Sequence, residues 1–525
     1  MSSVVLAPYQ LDHVRRLIQI FNMSPGAVDG SQMGSGKTVT TTFIAANVPR
    51  PGMNVLTHGA AARAFSKMIA VVPASLRGNW TKECRRQNMP LEVYSYDEVI
   101  GTKFRYLYTD KQGDYHPTDE WLDLVDQGVL LVYDEFSYLK NKGTKRTQAA
   151  HALSRAIGES MASLGSSSYS RILAVSATPI DKSEQSFELI KTIALCPVDK
   201  LISYEKETRQ YTRLGIDNIY YLCKNLNSEL ADEINNSTIM STAGFTEACY
   251  RYYTEILMQN VSSSMKKEAL EKYTFNGYFN MDHEDYARLR KGVNQLKDAV
   301  GFREGEVNKT KGKGNGNLSA IAKASVEIEA AKINTMIRVA RHTLESNINS
   351  KVLLFVRFSD SVDRIMKGLA EYFPIALVGD VKEETRDKLI AVFQQPNTHR
   401  RVIVANIDVA SVGLNMGDED GRFPRTIFIS PNYSFISVQQ ASGRCTRATS
   451  KSVATVFIVY GKSKDIVIDP TDQNQISGLY GDLLEQSIFD ALARKTEVTK
   501  ASVIESDKTL YPGEYDIFIE PQHLQ

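Results

Sequence analysis

The stretch Gly30-Ser31-Gln32-Met33-Gly34-Ser35-Gly36-Lys37-Thr38 decides the reading of this chain. Its second half, residues 34–38, has the composition of a phosphate-binding loop. Glycines let the backbone turn so that successive N–H groups face phosphate oxygens. A helix starting near Thr38 adds the positive end of its dipole. Lys37 then suits the β- and γ-phosphates, and the Thr38 hydroxyl suits Mg²⁺. The pattern GxxxxGK[ST] asks for glycine at position 31, where this chain has Ser31. Taken alone, the loose match is a weak signal with a Gly/Ser-rich surface turn as its rival, so the rest of the chain has to decide.

Working outward, residues 8–21 place Leu11, Val14, Leu17, Ile18 and Phe21 at helical spacing, and the helix after Lys37 should end before Pro49. Residues 68–73, 128–133 and 171–175 are short apolar runs rich in β-branched residues, as buried parallel strands are. The second run delivers Asp134-Glu135 and the third Ser176-Ala177-Thr178-Pro179. Strands alternating with helices and presenting polar residues at their C-terminal ends predict an α/β fold, a doubly wound parallel sheet with its ligand at that edge. Residues 198–330 read instead as a mainly helical insert with many tyrosines. That insert contains the Gly/Lys/Asn tract at 308–317, read as a mobile loop. A second α/β rhythm occupies residues 331–462, with strand-like runs at 352–356, 375–378, 402–405, 426–429 and 453–459, and a helical and loop-like extension covers 463–525.

At 525 residues the chain needs several cores. Its 62 basic and 61 acidic side chains create no overall field for a polyanion, so any nucleic-acid surface must be local. Five cysteines without CxxC spacing argue against a zinc site or a disulfide framework. With no signal peptide and no membrane-length apolar run visible, the expectation is a soluble intracellular protein.

A nucleotide-hydrolysing site needs one carboxylate for the metal and another to orient or deprotonate water; Asp134 suits the first task and Glu135 the second. Residues 440–447, Gln-Ala-Ser-Gly-Arg-Cys-Thr-Arg, put Arg444 and Arg447 one turn apart on a helix face, able to present forked donors to a γ-phosphate or simply to pair on the surface. Arg77 and Lys82, and Lys140 and Lys142, are candidates for tracking nucleic-acid phosphates, or for solvated charged faces. The insert tyrosines read as core more readily than as base-stacking platforms.

In order, the chain carries Tyr9-Gln10, residues 34–38, Val71-Val72-Pro73-Ala74-Ser75-Leu76 with Asn79-Trp80, Asp134-Glu135 with Leu139-Lys140-Asn141, residues 176–179, residues 352–358, Gly413-Leu414-Asn415 and residues 440–447. That ordered set resembles the motifs of superfamily-2 (DEAD-like) helicases and translocases. Within it, the set is most similar to Snf-type motors and related nucleoside triphosphatases of large DNA viruses. The resemblance implies two RecA-like lobes with ATP between them. Gln10 would contact adenine; Gly34, Ser35, Gly36, Lys37, Thr38, Gly413 and Gln440 would line the nucleotide site; and Thr38 and Asp134 would serve Mg²⁺. Ser176, Ala177 and Thr178 would couple hydrolysis to lobe movement, Asn415 would touch nucleic acid, and Arg444 and Arg447 would act on the γ-phosphate. Phe136-Ser137, Ser31-Gln32 and Asn432-Tyr433 depart from the Snf-type pattern. The implied function is a nucleic-acid-stimulated ATPase translocating on duplex DNA, in a host nucleus or cytoplasm or a virion, with transcription or virion proteins as partners. Alternatives are a strand-separating DNA or RNA helicase, or a nucleotide-binding structural component. A small-molecule kinase would not need the second α/β block.

Overall fold

The computed structural model describes residues 5–50, 62–265, 272–300, 318–379, 381, 383–397, 399–410, 415–445, 450–468, 472, 475, 484–502 and 515–521. The tract at 308–317 lies outside them. The chain divides into two units, Met1–Lys267 with Glu497–Thr509, and Glu268–Thr496 with Leu510–Gln525. Each is built on its own parallel sheet with helices, and the two are RecA-like lobes.

In the first unit, β1 (Gly26–Asp29), β2 (Lys67–Val72), β3 (Leu91–Ser95), β6 (Val129–Asp134), β7 (Arg171–Val175) and β10 (Ser262–Ser263) form one sheet in the order β10-β1-β7-β6-β2-β3. Every pairing in it is parallel. Two hairpins stand apart, β4 (Leu107–Thr109) with β5 (Tyr115–Pro117) and β8 (Ser203–Glu205) with β9 (Gln210–Thr212). All residues of β6 and β7 are buried, which explains their unbroken apolar sequences. Because the strands are parallel, the segments after β1, β2, β6 and β7 emerge along one sheet edge, and these carry the motifs. The helices Leu214–Leu226, Ser228–Ser237 and Thr242–Arg251 send Ile216, Ile219, Cys223, Ile234 and Phe245 into the same core as β1 and β6. Of the insert tyrosines, Tyr252 and Tyr253 are core residues, whereas Tyr204 and Tyr221 are exposed.

In the second unit, β11 (Lys272–Met281), β12 (Lys351–Val356), β13 (Ile375–Leu377), β14 (Val402–Asn406), β15 (Arg425–Ile429), β16 (Ala454–Ser463) and β17 (Asp516–Ile519) form an all-parallel sheet, ordered β13-β14-β12-β15-β16-β11-β17. Alternation sorts its residues between two cores. Leu353, Phe355, Ile403 and Ile427 pack on one face, and Val352, Leu354, Val356, Val404 and Phe428 on the other. Residues 272–281, from the stretch read as helical insert, thus supply a ten-residue strand paired along its length with β16. Residues 516–519, from the extension, add the edge strand. All five cysteines are buried and free. Among the described residues, no helix is long and apolar enough to cross a membrane.

Candidate active site

The helix after the loop starts at Lys37 and ends at Asn47, as its sequence predicts. Gly34 and Gly36 have φ of +76° and +97°, the left-handed region that favours glycine. A Cβ on Gly36 would also clash with Gln10 Nε2. That amide donates to the Ser35 carbonyl at 3.1 Å, while Gln10 Oε1 accepts from Ala7 N at 3.0 Å. Gln10 therefore braces the loop from the helix Pro8–Met23. Lys37 Nζ donates to the carbonyls of Ser31 (2.8 Å) and Gln32 (3.1 Å).

Ser31, which stands where the common pattern has glycine, is the hub beneath the loop. Its N–H donates to Asp29 Oδ1 (2.9 Å), its hydroxyl accepts from Met265 N (2.8 Å), and its carbonyl receives Lys37. Asp29 and His13 form a buried pair at 3.2 Å, and His13 Nδ1 reaches Ser263 Oγ at 2.8 Å. Burial by itself would raise the Asp29 carboxyl, but His13, Lys37 and Ser31 together hold it below the usual value. Sequence reasoning missed His13 and Asp29; the only signal was a polar residue on the apolar face of the first helix.

Asp134 ends β6, and Glu135 follows at φ +54°, an uncommon conformation for a residue with a side chain. Burial and the neighbouring Glu135 raise the Asp134 carboxyl to about 7, opposed by Trp80, Lys37 and the Glu135 N–H. Trp80 Nε1 donates to Asp134 Oδ2 at 2.8 Å, and the preceding Asn79 Nδ2 lies 3.5 Å from Thr38 Oγ1. Two consecutive residues of the helix Arg77–Gln87 thus reach Thr38 and Asp134, one each. Ser176 N donates to the Asp29 carbonyl (3.0 Å), and Ser176 Oγ accepts from Thr178 N (3.1 Å), so the turn after β7 is locked to the base of the loop. Ser176 and Thr178 are buried and Ala177 half-buried.

The candidate phosphate-tracking residues divide. Lys140 is mostly buried and gives its ammonium to Asp181 at 2.7 Å, and Arg77 pairs with Glu98 at 2.9 Å. Lys82 and Lys142 are exposed.

Residues 331–449 match the family described as Helicase conserved C-terminal domain. The chain is similar to the protein named "Putative ATP-dependent RNA helicase L364" of Acanthamoeba polyphaga mimivirus, 23% identical over 86% of this chain and 78% of that protein. It is also similar to "ATP-dependent helicase fft1" of Schizosaccharomyces pombe, 20% identical over 79% of this chain and 46% of that protein. These likenesses support the superfamily-2 helicase or translocase reading of the sequence. The matched region begins within the helix Leu318–Ser346 and covers β12 to β15.

In the second unit, Gln440 lies on the helix Phe435–Ser442, and Arg444 just beyond it; both are buried. The Arg444 carbonyl accepts from Met416 N at 3.1 Å, tying the arginine segment to the one that holds Asn415. Asn415 Nδ2 donates to Glu419 Oε1 at 2.7 Å, and its Oδ1 accepts from Gly417 N at 3.2 Å. Gly413 and Arg447 lie outside the described residues.

Proposed function

We propose that this chain hydrolyses ATP and couples hydrolysis to movement along nucleic acid, with duplex DNA the favoured track. The observation that carries the reading is the meeting of Lys37, Thr38, Asp134 and Glu135 along one sheet edge, with Asn79 and Trp80 touching Thr38 and Asp134. The glycine loop and the helix starting at Lys37 suit the triphosphate of ATP, with Gln10 at the adenine end.

The donor set fits Mg²⁺. Among the described residues no group of three or more metal-ligating side chains occurs. Magnesium is commonly held by one or two protein oxygens together with phosphates, and Thr38 and Asp134 offer such oxygens. Burial and Glu135 disfavour negative charge on Asp134, an imbalance that a divalent cation relieves. Bound there, the metal would neutralise charge on the β- and γ-phosphates. Lys37 would add its own charge to those phosphates. Glu135 would orient and deprotonate the attacking water, and the turn at Ser176 to Thr178 would carry the change at the loop toward β7. By the sequence resemblance, Arg444 and Arg447 would act on the γ-phosphate, where such residues are worth orders of magnitude in rate.

ATP turnover measured without nucleic acid and with blunt duplex DNA, single strands or RNA tests this reading. Duplex-stimulated turnover with displacement of a third strand supports it. Absence of turnover under every condition refutes hydrolysis, and turnover indifferent to all three polymers refutes the motor. RNA is the second reading, because the mimivirus relative is named as an RNA helicase; stimulation by RNA alone selects it.

A further inference from the structure

The chain has two tryptophans, Trp80 and Trp121, and both are fully buried. They satisfy their indole N–H groups differently. Trp121 Nε1 donates to a main-chain carbonyl, that of Leu153, at 3.1 Å, as a tryptophan used for packing does. Trp80 Nε1 donates to the Asp134 carboxylate at 2.8 Å. A carboxylate oxygen, when ionised, accepts a stronger hydrogen bond than a carbonyl does. The remaining partners complete a frame around the same residue. Asp134 Oδ1 accepts from Glu135 N at 3.0 Å, and the Asp134 carbonyl accepts from Tyr96 OH at 2.7 Å. Both carboxylate oxygens and the main chain of Asp134 are therefore held, with Trp80 supplying a side-chain hydrogen bond to the carboxylate from another element.

The neighbouring residue extends the frame. Asn79 Nδ2 faces Thr38 Oγ1 at 3.5 Å, so the helix Arg77–Gln87 reaches both oxygens assigned above to the metal. We propose that Trp80, assisted by Asn79, is a positioning residue that holds the Asp134 carboxylate and the Thr38 hydroxyl in the separation and orientation that Mg²⁺ requires. The inference rests on the nucleotide-hydrolase reading of the site. Magnesium demands near-ideal octahedral geometry, so a carboxylate free to rotate ligates it poorly. Groups that orient metal ligands contribute about 10–100-fold to metal affinity. A side chain present only to fill the core contributes nothing to metal dependence once the fold is intact.

The test is the Mg²⁺ dependence of binding of a fluorescent, non-hydrolysable ATP analogue to the full chain, in wild type, Trp80→Phe and Trp121→Phe. The expected result is a Mg²⁺ half-saturation raised about 10–100-fold in Trp80→Phe. Binding in EDTA should stay at the wild-type level, and Trp121→Phe should keep the wild-type Mg²⁺ dependence. Asn79→Ala should shift it in the same direction as Trp80→Phe. The proposal is overturned if Trp80→Phe keeps the wild-type Mg²⁺ dependence, or if it loses analogue binding equally with and without metal.

Should Trp80→Phe fail to fold, the wild-type protein labelled with ¹⁵N-tryptophan gives a second readout, with its two indole signals assigned through Trp121→Phe. Adding Mg²⁺ to the analogue-bound protein should move the Trp80 signal and leave that of Trp121 in place. Equal movement of both signals, or of neither, overturns the proposal. Wild-type protein whose analogue binding ignores Mg²⁺ altogether would instead remove the hydrolase reading beneath it.

Discussion

Replacing Ser31 by alanine removes one hydroxyl from the base of the phosphate loop and leaves the backbone of the loop unchanged. In the wild type that hydroxyl accepts the Met265 N–H at 2.8 Å, and both residues are buried, with Ser31 0% and Met265 1% exposed. The substitution strands a main-chain donor away from water, at a cost of about 1–3 kcal/mol. Ser31→Gly restores the consensus glycine, yet it should lose the same bond and a further ~0.5–1 kcal/mol of backbone entropy. Nucleotide binding should survive both changes, because Lys37 uses the carbonyl of residue 31 and not its side chain. Two assays separate these effects. Urea unfolding reads the stability loss. Hydrogen exchange at the Met265 amide should accelerate by roughly 5–150-fold, the same free energy expressed as a ratio. If Ser31→Ala unfolds at the wild-type midpoint with Met265 equally protected, the hydroxyl is not a brace and the argument fails. If instead nucleotide binding collapses while stability holds, Ser31 belongs to the phosphate site itself.

Glu135→Gly should abolish ATP turnover yet stabilise the fold by about 1 kcal/mol, because the residue sits at φ +54°; thermal melting beside a turnover assay checks both signs. Lys332 and Glu485 form a fully buried pair at 2.7 Å, with Glu485 Oε2 also accepting from Gly461 N at 3.0 Å. Lys332→Met should therefore cost about 3–5 kcal/mol, whereas Lys332→Met with Glu485→Gln should recover most of it in chemical denaturation. His151 is lowered to about 3 by burial and by the nearby Lys191. It is neutral in the folded chain but takes a proton below about 6.5 when unfolded, so it costs stability as pH falls from 6.5 toward 3. Burial raises Glu188 beside it, which works in the opposite direction at low pH. His151→Gln should lose about 2–3 kcal/mol less than wild type between pH 6.5 and 4.5, read from the difference in unfolding midpoints.

Strands buried on both faces were legible because their sequences are unbroken apolar runs: Arg171–Val175 matches its expected bounds. The strand Lys272–Met281 was not. Its Asn276 and Asn280 look wrong for an interior strand until their partners are known. Asn276 Nδ2 donates to the Tyr515 carbonyl at 3.0 Å, and Asn280 Nδ2 to the Glu520 carbonyl at 3.5 Å. Compensation from about 240 residues away leaves no local pattern. The site divides in the same manner. Lys37, Thr38, Asp134 and Glu135 are recognisable because phosphate and water chemistry demands those residue types at strand ends. The placement of Trp80 and the burial of Lys140 against Asp181 are tertiary facts, since an isolated lysine carries no mark of the carboxylate that will claim it.

The seven-stranded sheet also sets a schedule for protein synthesis. Its aromatic strand Lys272–Met281 lies between Ala454–Ser463 and Asp516–Ile519, both made long after it, with Phe275 and Phe279 meeting rings of Phe457 and Phe518. At about 5–20 residues per second, a ribosome needs roughly 12–50 s to reach the last of these partners. Throughout that interval the nascent chain carries a sticky, unmatched ribbon of phenylalanine and tyrosine. The demand on chaperones therefore falls within translation rather than after release, and slowing elongation downstream of residue 281 should lower the soluble yield while leaving the finished protein as stable as before.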